Sequence, residues 1–199
     1  MKFLALLVCF SGGFLNVSEC QTSSFSKIEY GSFDVNSYRT KIKGSAFVNL
    51  YCTIYSNGLI VINNKDDYHK THTYYSFQIS KAEIKILNSI FDVRKSLKQY
   101  LVKTQLESNS FYAGSYDFYR VMYKNGIIDS ICIIPPFMSE SFQRAYELLD
   151  NIFYVRKKRR IVKAFQIPTD FMISLKSCYL KSKHLPKIQN PPPFRIENQ

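Results

Sequence analysis

The chain has 199 residues, with 27 Lys and Arg against 15 Asp and Glu, and a formal net charge of +12. This length supports one domain or two small ones with a real apolar core, and the presence of only seven glycines disfavours glycine-rich phosphate loops and dinucleotide folds. The charge is uneven, because residues 156–199 carry eleven Lys and Arg against two acidic residues, a net of +9. A basic end of this kind attracts anionic surfaces without regard to their sequence.

Residues 1–20 have the pattern of a secretory signal peptide. Lys2 precedes a short apolar run that ends in small and polar residues, and this run is too short for a membrane span. Ser18 and Cys20 take the small positions before the cleavage point, which leaves Gln21 as the new N-terminus. The sequence therefore predicts a secreted or periplasmic protein, and the alternative is a lipoprotein anchored at Cys20.

The rest of the chain predicts an α+β fold made of two hairpin-plus-helix units, each with an antiparallel sheet covered by an amphipathic helix. The predicted segments are a Ser-rich tether (21–32), an N-terminal α+β module (33–106), a C-terminal ββαβ module (115–175) and a disordered, basic, Pro-rich tail (181–199).

The first hairpin is predicted from an alternating strand, Ala46–Tyr55, that turns at Asn57-Gly58 into the apolar run Leu59–Ile62. Asn-Gly between two apolar runs is a strong hairpin signal. A two-residue loop places Ile54 opposite Val61 and keeps the apolar face continuous. That apolar face is predicted to comprise Val48, Leu50, Cys52 and Ile54.

A third strand, Thr71–Ile79, is followed by a predicted helix start. Ser80 and Glu83 fit a capping box, in which each side chain accepts a hydrogen bond from the other residue's backbone N–H. Apolar residues of helical period follow, and the helix is expected to end near Tyr100 to Leu106.

The second hairpin is predicted over residues 118–134, with its turn at Lys124-Asn125-Gly126. In this register Arg120 lies opposite Ile131, on a mixed face that is expected to be half-exposed. A helix over Ser139–Tyr154 follows. Its buried stripe is predicted to be Phe142, Ala145, Leu149, Ile152 and Phe153.

The last predicted strand continues into Phe165-Gln166-Ile167-Pro168-Thr169-Asp170-Phe171 after a basic stretch. With the hairpin and helix before it, residues 118–173 resemble the C-terminal periplasmic domain of TonB-type energy transducers. The resemblance implies a ββαβ fold and an edge strand to which a partner peptide adds as a further strand. The residues of this expected binding edge are Arg160, Ile161, Val162, Lys163, Ala164, Phe165, Gln166 and Ile167.

The basic run before this strand has three interpretations. The cations complement a helix C-terminus, form a patch for an anionic polymer or membrane surface, or mark a dibasic processing site. The run consists of Arg156, Lys157, Lys158, Arg159 and Arg160.

Three cysteines, Cys52, Cys132 and Cys178, follow the predicted signal peptide. An odd number permits at most one disulfide, and the sequence leaves its identity open. None of the three lies in a recognisable catalytic signature, so the chain is expected not to be an enzyme and to need no cofactor. Asp66, Asp67, His69 and His72 are interpreted as a polar loop and not as a metal site.

These patterns favour a secreted or periplasmic, non-catalytic module that binds a protein partner of the cell envelope by strand addition. The alternative is a basic protein that binds anionic glycan, lipid or polymer, and a third hypothesis is a hydrolase or inhibitor. Nucleic acid is not an expected partner of a secreted protein.

Overall fold

The computed structural model describes residues 24–35, 46–66, 71–102, 112, 114–135, 137–155 and 159–185. The predicted signal peptide and the part of the predicted tail beyond Leu185 lie outside them. The strands are β1 (Phe25–Val35), β2 (Ala46–Tyr55), β3 (Leu59–Asp66), β4 (Thr71–Gln78), β5 (Tyr116–Tyr123), β6 (Ile128–Ile133) and β7 (Arg160–Ile161). The helices are α1 (Lys81–Ile90), α2 (Glu140–Asp150) and α3 (Thr169–Lys181).

The strands form one antiparallel sheet in the order β6-β5-β1-β2-β3-β4-β7. The α+β class is confirmed, but the two separate units are not, because β1 pairs with β2 on one side and β5 on the other. Most of β1 lies in the stretch interpreted as a tether. A register shift between Phe25 and Lys27 interrupts the alternation of apolar residues that would have identified the strand, because Phe25 and Ile28, three residues apart, belong to the same cluster.

Both hairpin turns have the three-residue form. Gly58 donates its N–H to the Tyr55 carbonyl at 2.8 Å, and Gly126 donates to the Tyr123 carbonyl at 3.1 Å. Each glycine has φ +85°, the left-handed conformation that closes a three-residue loop. The extra loop residue shifts both predicted registers by one.

The first hairpin therefore pairs Ile54 with Ile60, and the predicted pairing with Val61 is wrong. Val48 also leaves the predicted apolar face, because the register shift in β1 and β2 pairs it with Phe33 on the opposite side of the sheet. A one-residue slip exchanges the two faces of a strand, so these corrections decide which side chains share a core.

In the second hairpin, Arg120 pairs with Ser130 and not with Ile131. The expectation of a half-exposed face is also wrong, because Arg120 is only 3% exposed.

The predicted capping box at the start of α1 is confirmed. Glu83 donates its N–H to the Ser80 hydroxyl at 3.2 Å, and Ser80 donates its N–H to the Glu83 carboxylate at 2.6 Å. The helix is shorter than predicted, since it ends at Ile90. A turn and a short 3-10 helix (Leu97–Tyr100), capped by the Ser96 hydroxyl, follow it.

The second predicted helix is α2, which continues as one π-helical turn over Asn151–Val155. Ser139 takes the N-cap position without a side-chain capping bond. The predicted buried stripe is confirmed for Phe142, Ala145, Leu149, Ile152 and Phe153.

The last predicted strand is wrong beyond its first two residues. After β7, residues 162–168 form a segment without helix or strand, which we call the strap, and residues 169–181 form α3. Phe171 and Leu175, one helical turn apart, are fully buried, whereas Ile173 between them is 65% exposed.

The sheet is covered on both sides. The two-helix face carries α1, α2 and the larger apolar cluster, which includes Ile28, Cys52 and Tyr119. The one-helix face carries the strap, α3 and the smaller cluster, which includes Tyr51 and Phe118. Leu185, within the predicted tail, is buried in this smaller cluster. Within the described ranges, no helix is long and apolar enough to cross a membrane.

Candidate functional site

The predicted binding edge is only partly a strand. Arg160 and Ile161 pair with Ser76 and Tyr75 of β4, so β7 is the outermost strand at this end of the sheet. The rest of the predicted edge belongs to the strap, where the Phe165 ring packs 5.5 Å from the Tyr74 ring. Ala164 and Gln166 are exposed there.

The backbone of Ile161 faces away from the sheet. Val162 donates its N–H to the Tyr74 carbonyl at 3.1 Å, which directs the polar groups of Val162 toward β4. Because backbone groups alternate along a strand, the N–H and C=O of Ile161 point the other way. The Ile161 side chain is 87% exposed.

Only Arg159 and Arg160 of the predicted anion patch are described, and residues 156–158 lie outside the described ranges. The Arg159 guanidinium lies 4.4 Å from the Tyr75 ring centroid and donates to the Phe153 carbonyl at 2.6 Å. Arg159 therefore anchors the start of β7 as well as contributing charge, whereas Arg160 is exposed.

The run interpreted as a polar loop is also partly outside the description, since residues 67–70 are not included. His72 lies on β4, with Nδ1 2.9 Å from the Asn63 side-chain oxygen and its ring stacked on Tyr74. Among the described side chains, no group of three or more His, Cys, Asp or Glu gathers as a metal site.

A buried ion pair on the one-helix face was not predicted. Glu29 of β1 is fully buried and forms a salt bridge with Arg120 of β5. Tyr51 and Lys27 each donate to the same carboxylate at 3.0 Å. Glu29 thus has several donors for its buried charge.

Arg120 connects this pair to α3. It donates to the Asp170 carboxylate at 2.8 Å and to the Ser174 hydroxyl at 3.1 Å. The hydrogen bond from Arg120 is the main reason that the pKa of the Asp170 carboxyl is lowered. This network fixes the first turn of α3 over the sheet.

A second buried carboxyl, Asp117 of β5, lies on the two-helix face and is only 2% exposed. The Tyr30 hydroxyl donates to its Oδ1 at 3.0 Å. Its Oδ2 has no hydrogen-bond partner among the described residues, and neither has the hydroxyl of the fully buried Tyr119. Burial is the main cause that raises the pKa of Asp117 to about 7; hydrogen bonding with the hydroxyls of Tyr30 and Ser32 opposes this rise, and the charge of Asp150 adds to it.

Asp117 and Tyr119 line a cavity of about 220 Å³ between the sheet and α2. Its described lining is aromatic and acidic, with no Lys, Arg or His. The lining residues are Tyr30, Ser32, Tyr112, Ser115, Asp117, Tyr119, Pro135, Tyr146, Leu149, Asp150 and Phe153.

The three cysteines are free thiols that divide between the two faces. Cys52 is buried on the two-helix face, whereas Cys132 of β6 and Cys178 of α3 belong to the cluster on the other. The hydrogen bond with Cys132 is the main cause that lowers the pKa of Cys178 to about 7, and burial raises the pKa of Cys52 and of Cys132. The sequence left open which two of the three cysteines could form a disulfide. Because Cys132 and Cys178 lie together on one face, this arrangement favours a disulfide between them over either pair that includes Cys52.

Sequence reasoning missed both buried carboxyls. Asp117 and Arg120 are charged residues at odd separation in one strand, a pattern that places them on opposite faces. Only when both faces of the sheet are known to be covered does this pattern indicate that the two charges are buried.

Comparison with protein-family models, with curated proteins and with solved structures finds no match for this chain.

Proposed function

We propose that this protein is a non-catalytic interaction module outside the cytoplasm, which binds a protein partner by strand addition at β7. The observation that supports it is the outer side of β7, which no other described strand covers and where Ile161 presents outward backbone groups and an apolar side chain that is 87% exposed. An edge strand with unpaired backbone groups is a template for a further strand.

The experiment is a pair of proline substitutions, tested by pull-down from cell-envelope extract. Ile161→Pro removes the outward N–H while leaving the hydrogen bond from Val162 to Tyr74 in place. Ala164→Pro is the matched control, because Ala164 is exposed on the strap and lies outside β7. Strand addition predicts that the first variant loses the partner and the second keeps it.

A photo-reactive phenylalanine analogue at position 161 gives an independent readout. It should form a covalent adduct with the partner, while the same analogue at Ile86, which is 41% exposed on α1, should not. Full retention of the partner by a folded Ile161→Pro variant contradicts strand addition.

The second candidate function, binding to an anionic glycan, lipid or polymer, has its own support. Residues 159–185 carry six Lys and Arg against the single acid Asp170. All six cations are exposed: Arg159, Arg160, Lys163, Lys176, Lys181 and Lys183. Charges displayed in this way attract anionic surfaces at low ionic strength.

Vesicles with and without anionic lipid separate this candidate from strand addition. The charge reversal Lys176→Glu with Lys183→Glu should abolish vesicle binding. The same reversal at Lys81 and Lys85, which are exposed on α1, is the control. Vesicle binding that persists in high salt, or that falls equally in both variants, contradicts the electrostatic function.

A further inference from the structure

The cavity beside Asp117 contains two buried polar atoms that the described protein does not satisfy. Asp117 Oδ2 and the Tyr119 hydroxyl have no partner among the described residues, and both side chains are at least nine-tenths buried. A buried polar atom without a partner costs free energy, so such atoms are normally satisfied by water or by a ligand.

The chemistry of the lining selects among ligands. Two carboxyls, Asp117 and Asp150, face the cavity, and the described lining contains no basic side chain. Four tyrosines and Phe153 add ring faces, which attract cations through their negative quadrupoles. An anionic ligand would meet uncompensated negative charge, whereas an ammonium group has three donors and no acceptor.

The size of the cavity sets a second limit. Its volume of about 220 Å³ exceeds the roughly 150 Å³ of an apolar cavity that binds benzene. A ligand with one ring or a short alkyl chain and one ammonium group therefore fits, while a peptide does not.

We propose that the cavity between β5, β1 and α2 binds a small organic ammonium ion, with Asp117 as the counter-ion. The ammonium N–H groups donate to Asp117 Oδ2 and to the Tyr119 oxygen, and its apolar part packs against the rings of Tyr30 and Phe153. Those two rings already stack at 5.3 Å on the wall of the cavity. This site lies on the two-helix face and is independent of the edge at β7.

The site has a defined pH dependence. The titratable groups that face Asp117 are Tyr30 from β1, Tyr119 from β5, Tyr112 before β5, and Tyr146 and Asp150 from α2. Burial raises the pKa of Tyr30 and Tyr119, so these phenols stay neutral, while the pKa of Asp117 is about 7. Ionisation of Asp117 strengthens ammonium binding, so affinity should rise between pH 6 and pH 8.

The test is calorimetric titration of the purified protein with three probes of equal size and different charge: benzylammonium, benzyl alcohol and benzoate. Benzylammonium should bind saturably, and at least tenfold more tightly than either of the other two. Asp117→Asn should weaken the binding of benzylammonium by at least tenfold and remove its pH dependence. Tyr119→Phe should weaken the binding of benzylammonium by a smaller factor.

Asp92→Asn is the control, because Asp92 pairs with Arg94 after α1 and does not line the cavity. Three results would overturn the proposal. These are no saturable binding of benzylammonium at millimolar concentration, equal binding of benzyl alcohol, or unchanged affinity in Asp117→Asn. Circular dichroism of each variant confirms that it is folded.

Discussion

The two faces of the sheet each bury a carboxyl, and they differ in how many hydrogen-bond donors surround it. On the one-helix face, Glu29 is surrounded by donors from Arg120, Tyr51 and Lys27. On the two-helix face, Asp117 accepts a hydrogen bond from Tyr30 through Oδ1, and its Oδ2 has no described protein partner. Both carboxyls are almost fully buried, and they lie on the neighbouring interior strands β1 and β5 of one sheet.

The difference separates a structural group from a candidate binding group. A buried charge that is paired and hydrogen-bonded fixes geometry, and here it fixes α3 through Arg120. A buried carboxyl with a raised pKa beside a cavity destabilises the fold unless something else satisfies it, and such groups cluster at functional sites. The same residue chemistry therefore predicts opposite responses to mutation on the two faces.

The largest expected effect is on the one-helix face. Arg120→Met leaves Glu29 buried without its main partner, which should lower the free energy of unfolding by about 3–5 kcal/mol. The double variant with Glu29→Met should recover much of this loss, because no buried charge is left. Urea denaturation measures both values, and a loss below about 1 kcal/mol in the single variant would show that Glu29 does not depend on Arg120.

On the two-helix face, the ionised carboxyl of Asp117 is expected to lower the free energy of unfolding, so removing its charge should stabilise the protein. The folded-state pKa of Asp117, about 7, lies above its ordinary value of 3.8, so the folded state holds a proton that the unfolded state releases. Stability from this group is highest below about pH 4, falls as pH rises to about 7 and is constant above. The difference between the two pKa values corresponds to roughly 4 kcal/mol.

Asp117→Asn should therefore stabilise the protein at pH 8 by up to about 4 kcal/mol and have little effect at pH 4. Urea denaturation at both pH values is the measurement. A variant that is destabilised equally at both would show that the carboxyl is satisfied in the native state.

The thiols extend the comparison to reactivity. The pKa of Cys178 is about 7, so near neutral pH a large share of this thiol is ionised, and it lines a groove beside His184. Burial raises the pKa of Cys52 on the other face and removes it from solvent. Under reducing conditions at pH 7, iodoacetamide should modify Cys178 at least tenfold faster than Cys52, as measured by mass spectrometry of peptides. Equal rates would contradict the assignment of Cys52 to a closed core.

The smallest effect belongs to a local interaction that does not depend on either buried carboxyl. Ser80→Ala removes the side-chain acceptor at the start of α1 and should cost about 1 kcal/mol. The loss should be the same at pH 6 and pH 8, and it provides a baseline for the pH-dependent variants. A strong pH dependence in this variant would mean that the cap is coupled to Asp117.

The sequence was sufficient wherever structure depends on neighbouring residues. The Ser80–Glu83 capping box and the buried stripe of α2 need only helical spacing and a capping side chain, and both are confirmed. The Asn-Gly turns were also located correctly. Their loop length depends on the conformation of one glycine, and the difference of one residue pairs Arg120 with Ser130 instead of Ile131.

The predictions that were wrong concern residues whose contacts are with residues far away in the chain. The interior position of β1 depends on pairing with β2 and β5, and the register shift between Phe25 and Lys27 interrupts the alternation that would reveal a strand. The helix α3 was missed because Phe165 to Phe171 fitted a closing strand, whereas its apolar residues Phe171 and Leu175 are spaced for a helix. Asp117 and Glu29 could not be recognised as buried before both faces of the sheet were known to be covered.

The difference between the two buried carboxyls is tested most directly by titrating the Asp117 side-chain carboxyl by carbon-13 NMR, with Asp117→Asn used to assign the resonance. A buried carboxyl whose pKa is raised by desolvation predicts a midpoint near pH 7 and a lower midpoint in the presence of benzylammonium. A midpoint near pH 4, unchanged by benzylammonium, would show that Asp117 is as fully satisfied as Glu29 and would remove the distinction between the two faces.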